Sequence, residues 1–127
     1  MTFRHFNGCK NHTVGVELEL QLVDKNTKEL TSGTTKILKS LNGYPFVKHE
    51  LFESVIEINS LPCETVDELK DDLMKHVKVL HDAASKFGIT LTMAGTHPIS
   101  NWANQEVSPV KRYQDIINRI QMPVKRM

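Results

Sequence analysis

The sequence predicts an α+β fold in which a mostly antiparallel sheet carries its helices on one face. Three observations predict it: segments with the apolar patterning of strands, a long segment with one apolar stripe at helical spacing, and the order of these elements. That order is strand, short helix, strand pair, long helix, strand and helix. Strands and helices are therefore mixed without the strict alternation that is typical of a parallel sheet.

The first strand is predicted at residues 13–24, where apolar and polar residues alternate with a period of two. Glu17, Glu19 and Gln21 share its polar face. Glutamate is uncommon in strands, and like charges on one face of a sheet repel each other. Two explanations stay open for this face: a divalent cation such as Mg²⁺, which prefers oxygen ligands, or plain exposure to solvent.

The middle of the chain predicts a short helix at residues 34–41, an extended segment at 44–50 and a strand at 52–60. Thr65 and Glu68 have the spacing of a capping box, and they begin the clearest helix. Its apolar stripe consists of Leu69, Leu73, Val77, Leu80, Ala84 and Phe87, and Gly88 suits its C-terminal cap. His76 and His81 are expected at the solvent or its boundary.

The last part of the chain predicts a strand at residues 89–94, a loop containing Trp102 and a helix at 110–121. Pro123 interferes with any continuation of that helix. The strand ends in Gly95-Thr96-His97-Pro98, where Thr96 offers a hydroxyl and His97 can donate or accept a proton. Arg112, near the start of the helix, can hold a carboxylate or a phosphate. Each of these residues, taken alone, is more often an ordinary surface residue.

Length and composition describe a single domain of 127 residues with an ordinary apolar fraction of 39%. The net charge of +1 gives no electrostatic case for nucleic acid or an anionic membrane as partner. The N-terminal residues lack the apolar core of a signal peptide, and no apolar run approaches the roughly 20 residues of a membrane span. We therefore expect a cytoplasmic protein in which Cys9 and Cys63 are reduced, with a disulfide as the minor alternative.

A second acidic cluster extends from Glu50 to Asn59. In a regular strand, Glu53, Glu57 and Asn59 share one face, whereas Glu50 joins them only through a bend before the strand. If this strand lies near the first, its glutamates converge on Glu17 and Glu19. Three or four carboxylates in one concave site cannot all stay ionised without cations. Without further context, solvated glutamates remain the favoured explanation.

The motifs together resemble the carboxylate–amine ligases related to type-2 glutamate–cysteine ligases. The resemblance rests on three blocks that occur in order along nearly the whole chain. They are the strand at residues 13–24, the Glu50-x-x-Glu53-x-x-x-Glu57 segment followed by Pro62-Cys63, and Gly95-Thr96-His97-Pro98 followed by Trp102, Gln105 and Arg112-Tyr113.

The resemblance implies a glutamine-synthetase-like fold whose antiparallel sheet forms an acidic funnel. It also implies ATP-dependent joining of a glutamate-like carboxylate to a cysteine-like amine through an acyl phosphate, a reaction of glutathione biosynthesis. Mg²⁺ or Mn²⁺ is the implied cofactor and ATP the co-substrate. The metal positions of the family match Glu17, Glu19, Glu57 and Glu50. The resemblance assigns substrate binding to Thr96 and Gln105, and catalysis to His97 and Arg112.

Members of that family are considerably longer, so residues 1–127 resemble the N-terminal third of the catalytic domain. The next block of the family, a His-x-His-Val-Gly strand with a metal-binding His, is expected just after Met127. We therefore expect little or no ligase activity from the 127 residues alone. Two alternatives stay open. One is a non-catalytic module that self-associates through unpaired sheet edges, giving a homo-oligomer. The other is a small metal-dependent phosphohydrolase that uses the same carboxylates.

Overall fold

The computed structural model describes residue 8 and residues 11–120. This part of the chain forms four strands and three α-helices, which confirms the predicted α+β class. In chain order they are β1 (Glu17–Asp24), α1 (Thr34–Ser40), β2 (Val47–His49), β3 (Val55–Asn59), α2 (Val66–Ser85), β4 (Ile89–Thr92) and α3 (Lys111–Ile120). A short 3-10 helix at Trp102–Asn104 precedes α3.

The four strands form one antiparallel sheet, as the sequence predicted, and their order is β2-β3-β1-β4. The pairing register places Glu19 opposite Glu57 and Gln21 opposite Val55. On the other side of β3, Lys48 of β2 also lies opposite Glu57. Because side chains alternate between the two faces of a strand, one face of the sheet is apolar and the other polar. We call the polar one the acidic face; it carries Glu17, Glu19, Gln21, Lys48, Glu57 and Asn59.

The core lies between the apolar face of the sheet and the helices α1 and α2. Leu22, Ile56 and Ile58 of the sheet are fully buried against Ile37 of α1 and Leu80 of α2. Leu73, Val77, Leu80 and Ala84 of the predicted apolar stripe of α2 belong to this core or pack against it. The last predicted member of the stripe, Phe87, is 40% exposed because α2 ends at Ser85. Within the described residues, no helix is both long enough and apolar enough to cross a membrane.

The prediction that all helices cover one face of the sheet is wrong for α3. Ile116 and Ile120 of α3 line a cavity together with Glu19 and Gln21 of the acidic face. The hydroxyl oxygen of Tyr113 lies 3.1 Å from the backbone carbonyl oxygen of His49. The helix therefore packs beside the acidic face and closes one side of a cavity there. The predicted helix end at Gln121, and Pro123, lie outside the described residues.

Glu53 does not join the acidic face, because β3 begins only at Val55. The residue is 9% exposed, and its carboxylate accepts hydrogen bonds from the backbone N–H and the hydroxyl of Thr35, at 3.1 and 2.7 Å. The first N–H groups of a helix have no partner within the helix, and they attract negative charge. Glu53 therefore serves the start of α1, and the predicted shared face of Glu53 and Glu57 is wrong.

His76 also differs from expectation, because its side chain is completely buried. Its Nδ1 atom lies 2.6 Å from the hydroxyl of Tyr44, and its ring stacks on Phe46 with 4.1 Å between the ring centroids. Asp72 lies 3.2 Å from Nε2, although without hydrogen-bond geometry. The residues before β2 cover this part of α2, which helical spacing alone does not reveal. His81 is exposed, as predicted.

The predicted capping box at the start of α2 forms only in part. Thr65 Oγ1 accepts a hydrogen bond from the backbone N–H of Glu68, as expected for an N-cap. The carboxylate of Glu68 reaches the N–H of Glu64, one residue before the cap. Gly88 has a φ of +69°, the left-handed conformation that was predicted where the helix ends.

Cys63 is buried and is a free thiol, in agreement with the prediction. Burial, together with the carboxylates of Asp72 and Glu68, raises the pKa of this thiol above its ordinary value. A smaller thiolate fraction makes the group less reactive. Cys9 lies outside the described residues.

Candidate functional site

The acidic face brings two predicted metal ligands into direct opposition. Glu19 of β1 and Glu57 of β3 are cross-strand partners, and Glu17 lies one pair further along, opposite Asn59. Burial raises the pKa of Glu19, and the negative charges of Glu50, Glu57 and Glu17 raise it further. All four predicted metal ligands therefore lie close enough to interact electrostatically. Like charges directly opposite each other destabilise a sheet, so this arrangement favours a positively charged partner.

A lysine close to Glu57 was missed by the sequence analysis. The ammonium group of Lys48 donates a hydrogen bond to Asn59 Oδ1, and the amide of Asn59 donates to Glu57 Oε1 at 2.6 Å. Lys48 also lies opposite Glu57 in the register of β2 and β3. This contact chain orients the Glu57 carboxylate and partly balances its charge. Lys48 alternates with the buried Val47, so the period of two predicts that it lies on the polar face of the sheet. Its contact with Asn59 could be found only from the pairing of β2 with β3.

Glu50 reaches the cavity beside the acidic face through the predicted bend, since it lies between β2 and β3. The hydroxyl of Tyr113 donates a hydrogen bond of 3.0 Å to Glu50 Oε2. Burial raises the pKa of Tyr113 to about 12, and the Glu50 carboxylate contributes through this hydrogen bond and its charge. The phenol therefore stays protonated at neutral pH and remains a donor that holds Glu50 in place.

The cavity beside the acidic face has a volume of about 630 Å³. Its walls come from β1, the segment between β2 and β3, the loop after β4, and α3. Three residues that the resemblance assigned to substrate binding or catalysis, namely Thr96, His97 and Gln105, line it together with Glu19 and Glu50. The structure thus collects residues of all three sequence blocks around one space.

Arg112, the fourth of these assigned residues, is not among the residues that line the cavity. It is exposed on α3, and its guanidinium carbon lies 5.8 Å from the ring centroid of Tyr113. Arg112 precedes Tyr113 in the sequence, and Tyr113 is the residue whose hydroxyl bonds to Glu50. A catalytic role for Arg112 stays a prediction.

The loop after β4 holds two cavity residues through local hydrogen bonds. The backbone N–H of Ser100 donates to His97 Nδ1 at 3.1 Å, so the neutral ring carries its proton on Nε2 and can donate it. The side-chain amide of Gln105 donates to the carbonyl of Asn101 at 3.2 Å, which leaves its carbonyl oxygen as the freer group. These bonds orient the two side chains without help from a ligand.

Two cavity residues carry polar atoms that the sequence analysis did not single out as site residues. Gln21 is 9% exposed and Ser54 is 1% exposed, and both line the cavity. Gln21 Oε1 and Ser54 Oγ are buried without a hydrogen-bond partner in the described part of the chain. The parity of Gln21 with Glu17 and Glu19 was a usable signal for its position. No sequence signal marked Ser54, because its place depends on the turn before β3.

The donor set of the acidic face suits a hard divalent cation, because carboxylate oxygens are the ligands that Mg²⁺ and Mn²⁺ prefer. However, no three His, Cys, Asp or Glu side chains among the described residues stand close enough to hold an ion as they are placed. The charges of the predicted ligands interact, but their oxygens do not form a closed coordination shell. Metal binding by Glu17, Glu19, Glu50 and Glu57 therefore stays a prediction.

The fold and the site together define an α+β domain that carries an acidic sheet face beside a cavity for a small molecule. The sequence model that describes the family 'Glutamate-cysteine ligase family 2 (GCS2)' matches residues 13–127, and the chain belongs to this family. This finding confirms the family resemblance that the order of the three blocks predicted.

Individual relatives agree with the family match. A protein of Thermobifida fusca (strain YX), provisionally named glutamate–cysteine ligase 2, is 43% identical over 128 aligned residues, which cover 96% of this chain and 32% of the relative. A protein of Roseiflexus sp. (strain RS-1) with the same provisional name is 36% identical over 86% of this chain and 29% of its own length. The chain therefore spans about a third of the length of these relatives.

Proposed function

We propose that this chain forms the N-terminal part of the active site of an ATP-dependent carboxylate–amine ligase. The reactants are a glutamate-like carboxylate and a cysteine-like amine. The observation that carries the proposal is the opposition of Glu19 and Glu57 on the acidic face, with Glu50 close enough to raise the pKa of Glu19. Membership of the glutamate–cysteine ligase family supports the reaction class.

The reaction has two steps. A carboxylate oxygen of the first reactant attacks the γ-phosphorus of ATP, so that ADP leaves and an acyl phosphate forms. The amine nitrogen then attacks the acyl carbon, phosphate leaves, and the nitrogen loses a proton. In phosphoryl transfer the protein mainly positions the reactants and stabilises charge.

In this proposal Glu17, Glu19 and Glu57 hold Mg²⁺ or Mn²⁺, with Glu50 as a further ligand. The bound ions supply positive charge that balances the phosphate oxygens. Two contacts of this chain prepare the site. Asn59, itself held by Lys48, orients Glu57, and Tyr113 orients Glu50.

The cavity wall formed by the loop after β4 supplies the substrate contacts. Thr96 offers a hydroxyl group, Gln105 a carbonyl oxygen and His97 an N–H donor at Nε2. For Arg112 to hold an anionic reactant, its guanidinium has to turn from the Tyr113 ring toward the cavity.

A chimera tests this function, because the 127 residues alone are expected to lack turnover. In the Thermobifida fusca relative, the aligned third is replaced by this chain. The chimera is incubated with glutamate, cysteine, ATP and Mg²⁺, and the amount of γ-glutamyl product is measured. We expect ATP-dependent formation of a γ-glutamyl product. The same chimera with Glu57→Gln is expected to lose at least about a hundredfold in rate, since an active-site charge contact is removed.

The parental relative serves as the positive control, and circular dichroism shows whether each chimera folds. A folded chimera without turnover, beside an active parent, would contradict the proposal. Turnover by the isolated 127 residues would contradict the expectation that they are inactive. Phosphate release from ATP without any amine acceptor would favour the phosphohydrolase alternative.

Self-association is the alternative function, and the sheet edges favour it. Within the described part of the chain, β2 and β4 each pair on one side only. Unpaired strand edges invite pairing with a second chain.

We expect a concentration-dependent dimer or larger assembly of the 127-residue chain in sedimentation velocity. Substitution of Leu91 by proline on β4 removes a backbone donor from that edge strand and is expected to shift the chain toward monomer; Ile99→Pro, in the following loop, is the control. A monomer at every concentration would count against this alternative.

A further inference from the structure

Ser100, in the loop after β4, lines the cavity and is half-buried, so part of its surface is open to a ligand. Its hydroxyl oxygen accepts a hydrogen bond of 2.8 Å from the backbone N–H of Leu30. A serine hydroxyl has one donor hydrogen in addition to its acceptor lone pairs. The bond to Leu30 therefore holds the oxygen in place and leaves the hydrogen available to a ligand in the cavity.

His97 offers a second donor beside Ser100. The backbone N–H of Ser100 donates to His97 Nδ1 at 3.1 Å, so the neutral ring carries its proton on Nε2. His97 is also half-buried and lines the cavity. Two donors that lie three residues apart on one loop, and are joined by a hydrogen bond, suit the two oxygens of a carboxylate. Hydrogen bonds to a charged acceptor are stronger than those between neutral groups.

The same loop supplies an acceptor through Gln105. The side-chain amide of Gln105 donates to the carbonyl of Asn101 at 3.2 Å, so its own carbonyl oxygen is the group available on the cavity wall. An ammonium group has three N–H donors and no acceptor, and it suits such an oxygen. A carboxylate and an ammonium group on one carbon atom form the head of an α-amino acid. The loop after β4 thus matches an α-amino-acid head group.

Of the two proposed reactants, the glutamate-like one fits this wall. It reacts through its side-chain carboxylate and keeps its head group throughout, whereas the nitrogen of the amine reactant has to be free to attack the acyl carbon.

The position of Ser100 agrees with this orientation of the reactant. Leu30, which holds Ser100, forms a bridge with Val23 of β1. Val23 lies four residues from Glu19, a separation of about 13 Å at the rise of a strand. The head group is therefore held away from Glu19, where the side-chain carboxylate has to meet the proposed ions.

We propose that Ser100 and His97 bind the α-carboxylate of the glutamate-like reactant and that Gln105 binds its α-ammonium group. This inference rests on the proposed function and names the part of the substrate that the loop after β4 recognises. Ser100 thereby helps to determine which carboxylate reaches the acidic face, so that the product is γ-glutamyl and not α-glutamyl.

The test uses the chimera with the Thermobifida fusca relative and two carboxylate reactants. Glutamate and 4-aminobutyrate share the reacting carboxylate and the amino group, but 4-aminobutyrate lacks the α-carboxylate. With Ser100→Ala, we expect kcat/KM for glutamate to fall about tenfold, mainly through KM, because a hydrogen bond to a charged group is lost. The value for 4-aminobutyrate is expected to change less than about twofold. If Ser100 only anchored the loop, both values would fall equally.

Ser85→Ala is the matched control, because Ser85 is exposed at the end of α2 and does not line the cavity. Ser100→Cys keeps the size of the side chain but offers only a weak donor, so it takes the place of Ser100→Ala if that variant does not fold. Circular dichroism verifies the fold of each variant. The KM for cysteine is expected to stay unchanged in all of them.

A titration of the 127-residue chain tests the same contact without turnover. The chain is titrated with glutamate and with 4-aminobutyrate in the presence of Mg²⁺. The signal is the fluorescence of Trp102, which is the only tryptophan of the chain and lines the cavity. We expect glutamate to bind at least about tenfold tighter than 4-aminobutyrate, and Ser100→Ala to reduce this preference about tenfold. This titration decides if the chimera does not turn over 4-aminobutyrate.

Equal losses for both reactants in a folded variant, or an unchanged kcat/KM for glutamate, would overturn this inference and leave the ligase intact. The proposed function fails by a different result, namely a folded chimera without turnover beside an active parent. The titration then decides the inference by itself. Equal affinities for glutamate and 4-aminobutyrate, or no binding of glutamate, would refute the contact with the α-carboxylate.

Discussion

Replacing Glu17 and Glu19 together by glutamine is expected to abolish divalent-cation binding by this chain. The double variant keeps the size of both side chains but removes the two negative charges that β1 contributes to the acidic face. Since hard cations depend on charged oxygen ligands, we expect the affinity for Mn²⁺ to fall at least about a hundredfold in calorimetry, with and without ATP. Glu29→Gln, at an exposed turn position, is the matched control and is expected to bind as the unsubstituted chain does.

The same double substitution is expected to act in the opposite direction on the metal-free protein. Burial and three neighbouring carboxylates raise the pKa of Glu19, so the folded state favours its protonated form. A raised pKa in the folded state gives stability that is fully present below the unfolded value of about 4.5 and is lost as the pH rises through the higher folded value. Without metal, the variant should therefore melt at a higher temperature than the unsubstituted chain at pH 7.

This advantage should shrink as the pH falls toward the ordinary pKa of glutamate, because Glu19 then becomes protonated in the unsubstituted chain as well. Thermal melts at several pH values, with a chelator present, measure the difference.

Unchanged Mn²⁺ affinity in the folded double variant would show that the acidic face is not the metal site. No Mn²⁺ binding to the unsubstituted chain would show that these residues do not form the site by themselves.

Glu53→Ala is expected to destabilise the chain by about 3 kcal/mol, because a buried carboxylate with two hydrogen bonds is lost and a void remains. Its partner atoms, the N–H and the hydroxyl of Thr35, then lack an acceptor at the start of α1. Urea unfolding at pH 7 measures the effect. Glu29→Ala is the matched control, with an expected change below about 0.5 kcal/mol.

A double-mutant cycle with Thr35→Val identifies the contact that is responsible. We expect the two substitutions to be strongly non-additive, since each removes the partner of the other. Glu53→Ala should leave Mn²⁺ binding intact, whereas Glu57→Gln should weaken it. A strong loss of Mn²⁺ affinity in a folded Glu53→Ala variant would instead show that Glu53 contributes to the metal site on the acidic face.

Local signals in the sequence were sufficient for most elements. The period of two in β1 and the helical stripe of α2 depend on neighbours within the same element, and both were found. The cap at Thr65 and the positive φ of Gly88 are likewise local and agreed with expectation. The start of β3 was misplaced, because the segment before it pairs with distant backbone. Phe52 forms an isolated bridge with Val107, and the carbonyl of Glu53 accepts from Gly33.

By itself, the sequence determined the fold class, the family and the acidic polarity of β1, because each follows from residue order and periodicity along the chain. The opposition of Glu19 and Glu57 needed a strand register, which depends on how two segments 38 positions apart align. The partners of Glu50, the burial of His76 and the unpaired atoms of Gln21 and Ser54 also required the tertiary structure. These features arise where separate elements meet, and no spacing within one element records which surfaces come into contact.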